Sequence, residues 1–287
     1  MSAANIAVRS SRSLRIIALQ LTRAPHNLTY YHFVTPPEIK TSNSWVNRAT
    51  AKALDVWNGF GKAEEGSWKR RAFLTGERIA DRLDFEEHAL RSLDPSLGPK
   101  LSSILPRGPT SKAQDNSSIP LLYPSSVFPE PIPHLHSLLL SRGPRHKKGF
   151  YTWLAVTPLT FPLKLIPIIP NFPFFFCAWR VWSHYRSYKS SEYLDALLQH
   201  GAIHPEPNPA LDAVYAKYSP IRASSHDSDA SREFDPSDEL LLTKDAVPEL
   251  ERTLASELEG QDGGSTFAAG MYRALEQARI RLEKTRR

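Results

Sequence analysis

Apolar residues recur along most of this chain at the helical interval of three or four, and one stretch has almost no polar residue. In 42–62, Trp45, Ala49, Ala53 and Trp57 form a stripe that ends at glycines. A second helix is predicted to start near Ser67 and to run through RSL at 91–93. Phe73, Ile79, Ala80, Leu83, Leu90 and Leu93 approximate its apolar face, and Lys and Arg occupy much of the rest. Arg70, Arg71 and Arg78 there are candidates for anionic headgroups, or for a simple solvated face. Residues 94–133 are rich in Pro and Ser and read as an irregular linker, followed by HLHSLLL and a basic flank. Further on, Ser191 is placed to cap SEYLDALLQHG, and PALDAVYAKY makes another short helix. DELLLTKDAVPELERTLAS is kinked or restarted at Pro248. In the last helix Phe267, Met271, Leu275, Ala278 and Leu282 form a stripe that packs on its own protein or on a partner helix. No internal repeat and no strand pattern stands out, so the fold class expected is mostly α.

The exception is Gly149–Trp179, 31 residues interrupted by one charge, Lys164, and cut by Pro158, Pro162, Pro167, Pro170 and Pro173. A straight helix of that length would extend about 46 Å, but prolines at these spacings exclude one. Each half would extend roughly 22 Å, short of the ~30 Å hydrocarbon core. Fourteen of the 31 residues are Leu, Ile, Phe or Val. Each contributes about −0.3 to −0.6 kcal/mol to insertion against roughly 2.5–3.5 for a central Lys, so membrane insertion is modestly favoured. Arg142, Arg145, His146, Lys147 and Lys148 precede the block, Arg180, His184, Arg186 and Lys189 follow it, and no acid lies between Glu130 and Glu192. Two equally basic ends favour a hairpin with both ends on one face, with Lys164 snorkelling near the turn and Tyr151, Trp153, Trp179, Trp182 and Tyr185 at the interface. A single crossing and a Pro-rich buried core are the alternatives.

The net charge of +6 is unevenly spread. Residues 1–37 are acid-free, with Arg9, Arg12 and Arg15 on one side of a helix and Leu14, Ile17 and Leu21 on another, the pattern of a mitochondrial presequence. Cleavage is expected between about 20 and 45. Presequence and membrane flanks account for the excess charge without nucleic acid. Cys177, the one cysteine, excludes intrachain disulfides and reads as packing. His134, His136 and His146 lack accompanying ligands and are assigned to the interface, not to a metal. No nucleotide-binding, hydrolase or metalloprotease motif is present, so neither an enzyme nor a cofactor is expected. Glu86 and Glu87 are adjacent, cannot face each other on a helix, and are assigned to ion pairs with surrounding arginines.

The run KKGFYTWLAVTPLTFPLKLIPIIPNFPFFFCAWRVWSHYRS resembles the signature of the mitochondrial K⁺/H⁺ exchange-related proteins, most specifically over residues 170–186. GSWKRRAFLTGERIADRLDFEEHALRSL and LLLTKDAVPELERTL resemble two further segments of that family, so that the likeness covers roughly 45–287. The resemblance implies an inner-membrane protein tied to potassium–proton exchange and matrix volume, and carries no catalytic residues. The organisation expected is a transit peptide (1–40), an N-terminal helical segment (41–93), a Pro-rich linker and basic flank (94–148), a membrane-embedded segment (149–182), short helices (183–220), a disordered spacer (221–237) and C-terminal helices (238–287). Helical matrix domains would surround one Pro-broken membrane hairpin. Its embedded or interfacial candidates are Lys164, Asn171, Phe174, Phe175, Phe176, Cys177, Trp179, Arg180, Trp182 and His184. Ion and proton pathways use buried Asp, Glu or His, and the block holds none, which points to an accessory or regulatory component. The alternative is a membrane-tethered scaffold or assembly factor. Partners expected are inner-membrane lipid and a protein, or a second copy, on the C-terminal helix.

Overall fold

A computed structural model describes residues 14–36, 45–104, 118–160, 172–219, 239–258 and 263–286. The chain is mostly helical with a small sheet. Where the sequence suggested a presequence helix, Arg15–Gln20 form strand β1 and Thr29–Val34 form β2. β1 pairs antiparallel with β2 and parallel with β3 (Ile119–Tyr123), which pairs parallel with β4 (Ile203–Pro207) in the order β2-β1-β3-β4. β3 arises from the supposed linker.

β1 is covered on both faces, so no polar alternation marks it in the sequence. Ile17 and Leu19 enter one core with Leu211, Val247, Leu250, Phe267, Met271 and Leu275. Ile16 and Ala18 enter the other with Leu90, Leu93, Leu135, Leu139, Leu194 and Leu197. Arg15, buried at the start of β1, is paired with Glu257 at 2.5 Å. A cut after residue 20 would therefore remove an inner strand.

Residues 37–84 form a separate compact unit. Helix α1 (Trp45–Gly61) packs on α2 (Trp68–Asp81), with Trp57 against Phe73 at 5.2 Å and Phe60 against Trp68 at 5.5 Å. Ser67 caps α2 by accepting from the Arg70 amide, and Arg70 donates to the Gly61 carbonyl. The single helix expected from Ser67 to 93 is thus two. After α2 the chain breaks, and α3 (Phe85–Ser92) belongs to the sheet-bearing unit.

Around the sheet, a short α4 (Leu101–Ile104) precedes β3, and two long helices bridge β3 to β4. Helix α5 (Pro131–Thr160) absorbs the basic flank and runs through Pro144 and Pro158. Helix α6 (Phe172–Gln199) carries Ser191 inside it, where a new helix was expected to start. Contacts of Gly143 with Ser191, Phe150 with Tyr185 and Trp153 with Phe176 show the two helices running antiparallel. The other face carries α7 (Pro209–Tyr218), a 3₁₀ turn (Lys244–Ala246), α8 (Val247–Thr253), α9 (Ala255–Leu258) and α10 (Gly263–Arg286). The Phe267–Leu282 stripe of α10 is fully enclosed by its own core. A partner would have to take the opposite side, where Tyr272 and Ile280 are exposed. Residues 1–13 and the 221–237 spacer lie outside the described residues.

Candidate functional site

The packing of α3 across α5 and α6 brings together ionisable groups far apart in sequence. A row of buried serines on α6 lets α3 come close. Ser183 donates to Glu87 Oε1 at 3.2 Å, Ser187 to the Glu87 carbonyl at 3.4 Å, and Ser190 to the Leu93 carbonyl at 3.0 Å. At the other end Gln277 of α10 accepts from the Phe85 amide at 2.9 Å. So held, the adjacent carboxylates diverge as their helical spacing requires. Glu86 takes Arg142 at 3.1 Å and a two-pronged contact from Arg281 at 2.7 and 2.9 Å. Glu87 takes Arg180 at 3.1 Å. Both carboxylates are buried, and losing one partner of such a pair costs about 3–5 kcal/mol.

Arg180 also donates to His184 Nε2 at 2.8 Å, and His184 Nδ1 lies 3.3 Å from Nδ1 of His146. The guanidinium has no acceptor, so His184 must carry its proton on Nδ1 and donate it to His146. His146 then carries its own proton on Nε2, an atom that is buried and has no partner among the described residues. Burial, the arginines nearby and the neighbouring ring lower the His146 pKa to about 4, against the pull of Glu87. Burial and then Arg180 lower that of His184. Both rings are therefore neutral near pH 7. Gly149 makes the close approach possible, since a Cβ there would meet His184 Cε1 at 2.7 Å.

Glu87, His146 and His184 each offer one donor atom within 4.8 Å of the others, which is the composition of a metal-binding set. Arg180 argues against that use. It occupies Glu87 Oε1 and His184 Nε2 and puts a fixed positive charge beside any entering cation.

Beyond this cluster the helix pair changes character. Arg145, Lys147, Lys148 and Lys189 are exposed as a basic rim, with Lys147 and Lys189 over the Tyr188 ring. Next come exposed Tyr151, Trp182 and Tyr185, then Leu154, Leu159 and Phe175, the last two 76% and 66% exposed. Among the described residues, no helix is long and apolar enough to cross a membrane.

The ten residues singled out from the sequence fall in different places. Lys164 and Asn171 lie outside the described residues. Phe175 is bare, Phe174 meets it edge to face, and Phe176 packs against Trp153. Cys177 is buried. The guanidinium groups of Arg91 and Arg180 both lie against the Trp179 ring, and that of Arg186 against Trp182. Only Arg180 and His184 belong to the cluster. His146, an interfacial residue by the sequence, is instead 2% exposed. His134 is not interfacial either, bonding Tyr31 Oη at 2.8 Å and the Asn27 carbonyl at 2.9 Å, while His136 stands 3.7 Å from Asp195. Glu87 makes the ion pair with an arginine that the sequence suggests, but its place beside the histidines is not legible there because its partners lie 93 and 96 residues away. Its one visible signal was an acid set among the apolar positions of a short helix.

Fold and site define a mixed α/β protein whose longest helices join a buried Glu–Arg–His cluster to an exposed apolar end. The chain belongs to the mitochondrial K+-H+ exchange-related family, which it matches over residues 15–198. It is 33% identical over 103 residues to an uncharacterized protein of Saccharomyces cerevisiae, a match covering 36% of this chain and 32% of that one. It is 25% identical over 186 residues to an uncharacterized protein of Schizosaccharomyces pombe, covering 62% of this chain and 72% of the relative. The chain thus spans about a third of the length of the Saccharomyces relative. No solved structure matches it.

Proposed function

We propose that this chain is an accessory or regulatory component of potassium–proton exchange at the mitochondrial inner membrane, and not an enzyme. The sheet-bearing unit would lie in the matrix, and the α5/α6 end would enter the bilayer. The observation that carries this reading is the order of residues along that helix pair: exposed Lys147, Lys148 and Lys189, then Tyr151, Trp182 and Tyr185, then Leu154, Leu159 and Phe175. Cations at the headgroups, aromatics at the boundary and bare Leu and Phe beyond them is the order a bilayer surface selects. From Lys148 to Thr160 a helix rises about 18 Å, enough to reach the middle of a ~30 Å core but not to cross it. Entry and return on the same side agree with the equally basic flanks. Family membership supplies the link to exchange.

The test is passive swelling of energy-depleted mitochondria in potassium acetate, with and without this protein. Slower swelling in its absence, restored by re-expression, is the expected result. Unchanged swelling would favour a membrane-tethered scaffold acting on transport indirectly.

A further inference from the structure

The buried cluster at the base of the helix pair is what an exchange component needs and the apolar block lacks: groups that can take up and release a proton. Resting on the exchange reading above, we propose that Glu87, His184 and His146 form a proton-transfer path gated by Arg180. Three features of the geometry carry this.

The hydrogen bonds all point one way. Arg180 donates to His184 Nε2, His184 Nδ1 donates to His146 Nδ1, and His146 ends the line with a buried Nε2–H that has no acceptor among the described residues. A chain of aligned donors ending in an unsatisfied donor is poised to release its last proton to a water. It cannot run in the state observed, because an arginine does not give up a proton. The next proton must reach His184 Nε2, and Arg180 occupies that nitrogen.

The second feature is that Glu87 holds the gate. Arg180 spans Glu87 Oε1 and His184 Nε2, at 3.1 and 2.8 Å. A proton on Glu87 removes the negative charge that holds the guanidinium and so uncovers His184 Nε2. Transfer then balances without any stable imidazolium. The Glu87 proton passes to His184 Nε2, the His184 Nδ1 proton passes to His146 Nδ1, and the His146 Nε2 proton leaves to water. One proton has entered and one has left, Glu87 is again anionic, and both rings are neutral with their tautomers exchanged, to be reset by ring rotation. The donor atoms stand within 4.8 Å of one another, a gap that one side-chain rotation or one water closes.

The third feature is the charge around the path. The charged groups that act on the two rings are Glu87 from α3, Arg142 and Arg145 from α5, and Arg180 from α6. With three cations against one carboxylate, a proton is driven off the imidazoles, which suits groups that pass a proton on.

Two measurements test this on the full chain. In the first, long-range ¹⁵N–¹H spectra of the purified protein at pH 7 read the tautomers directly. Nδ1–H on His184 and Nε2–H on His146 are expected; the reverse pair, or a charged ring, overturns the path. In the second, His146→Gln, Glu87→Gln and the charge-balanced pair Glu87→Gln/Arg180→Gln replace the protein in mitochondria, with abundance and membrane association checked. Each is expected to slow potassium acetate swelling by about tenfold or more, since positioned proton transfer is typically worth that or greater. The artificial exchanger nigericin should restore full swelling in every case. Arg180→Gln alone, at normal abundance, should change the dependence of swelling on matrix pH, and an unchanged dependence overturns the gate. Normal swelling with His146→Gln at normal abundance overturns the path but leaves the exchange reading intact. Unchanged swelling on deletion of the whole protein overturns that reading and leaves the tautomers to stand or fall alone.

Discussion

Replacing Leu159 by Asp tests membrane entry at a position where the folded chain gives almost nothing away. The side chain is 76% exposed, so in water the substitution should change stability by no more than about 0.5 kcal/mol. In the bilayer the balance differs. Leu159 stands 11 residues beyond Lys148 on one helix, about 16 Å of rise, which puts it near the middle of the hydrocarbon core. There a leucine contributes roughly −0.3 to −0.6 kcal/mol and an aspartate costs about 2.5–3.5, a difference of about 3–4 kcal/mol. At 1.4 kcal/mol per decade this weakens partitioning by more than about 100-fold. Phe175→Asp, at a shallower level, should give a smaller loss in the same direction. The assay is flotation of the purified full chain with vesicles containing anionic phospholipid, alongside a thermal melt of each variant. Tyr272→Asp, exposed on α10 and away from the helix pair, is the control and should float like the parent. A folded Leu159→Asp protein that floats as well as the parent would refute the reasoning, because no other term compensates for an aspartate at that depth.

Three further predictions concern the fold. If a presequence is removed, the mature N-terminus read by mass spectrometry should fall before Leu14, and a chain beginning at residue 36 should fail to fold, having lost β1 and β2. Gly270→Ala should destabilise the protein by about 1–3 kcal/mol in denaturant unfolding, because the new Cβ would stand 2.2 Å from Tyr30 Oη, and Tyr30→Phe should relieve much of that. Burial lowers the pKa of His32 to about 4, and the ring lies against Phe267 with Tyr30 Oη at 3.3 Å. Between pH 6.5 and 4 the unfolded chain binds the extra proton, so stability should fall as pH falls through that window. The loss is at most about 3 kcal/mol, and His32→Gln should flatten that part of the curve.

How much of this was legible depends on the range of the signal. The stripe from Phe267 to Leu282 and the cap at Ser67 are local patterns, and the helices stand where those patterns put them. The break between α2 and α3 was not legible, because both pieces keep a helical rhythm while facing different cores. β1 was misread for a related reason: RIIAL between two sheet faces is apolar on both sides and, over so few residues, as compatible with a helix as with a strand. In the site, Arg180 and His184 stood out by following the apolar block, whereas His146 looked like one more member of a basic flank.

The sequence by itself determined that the stretches beginning near Trp45 and Ser67 and the last one, with its stripe from Phe267 to Leu282, are helical, where the apolar block lies between its two basic ends, and that the adjacent Glu86 and Glu87 must serve different partners. Each of these follows from neighbours within one or two helical turns. Only the tertiary structure decided that the N-terminal segment completes a sheet and that Glu87, His146 and His184 meet. It also decided that Arg180 stands between carboxylate and imidazole. Those outcomes depend on serines of α6 admitting α3 and on Gly149 admitting His184. Such contacts span tens of residues and leave no period in the sequence, because they are selected by the packing of whole elements and not by the turn of any one helix.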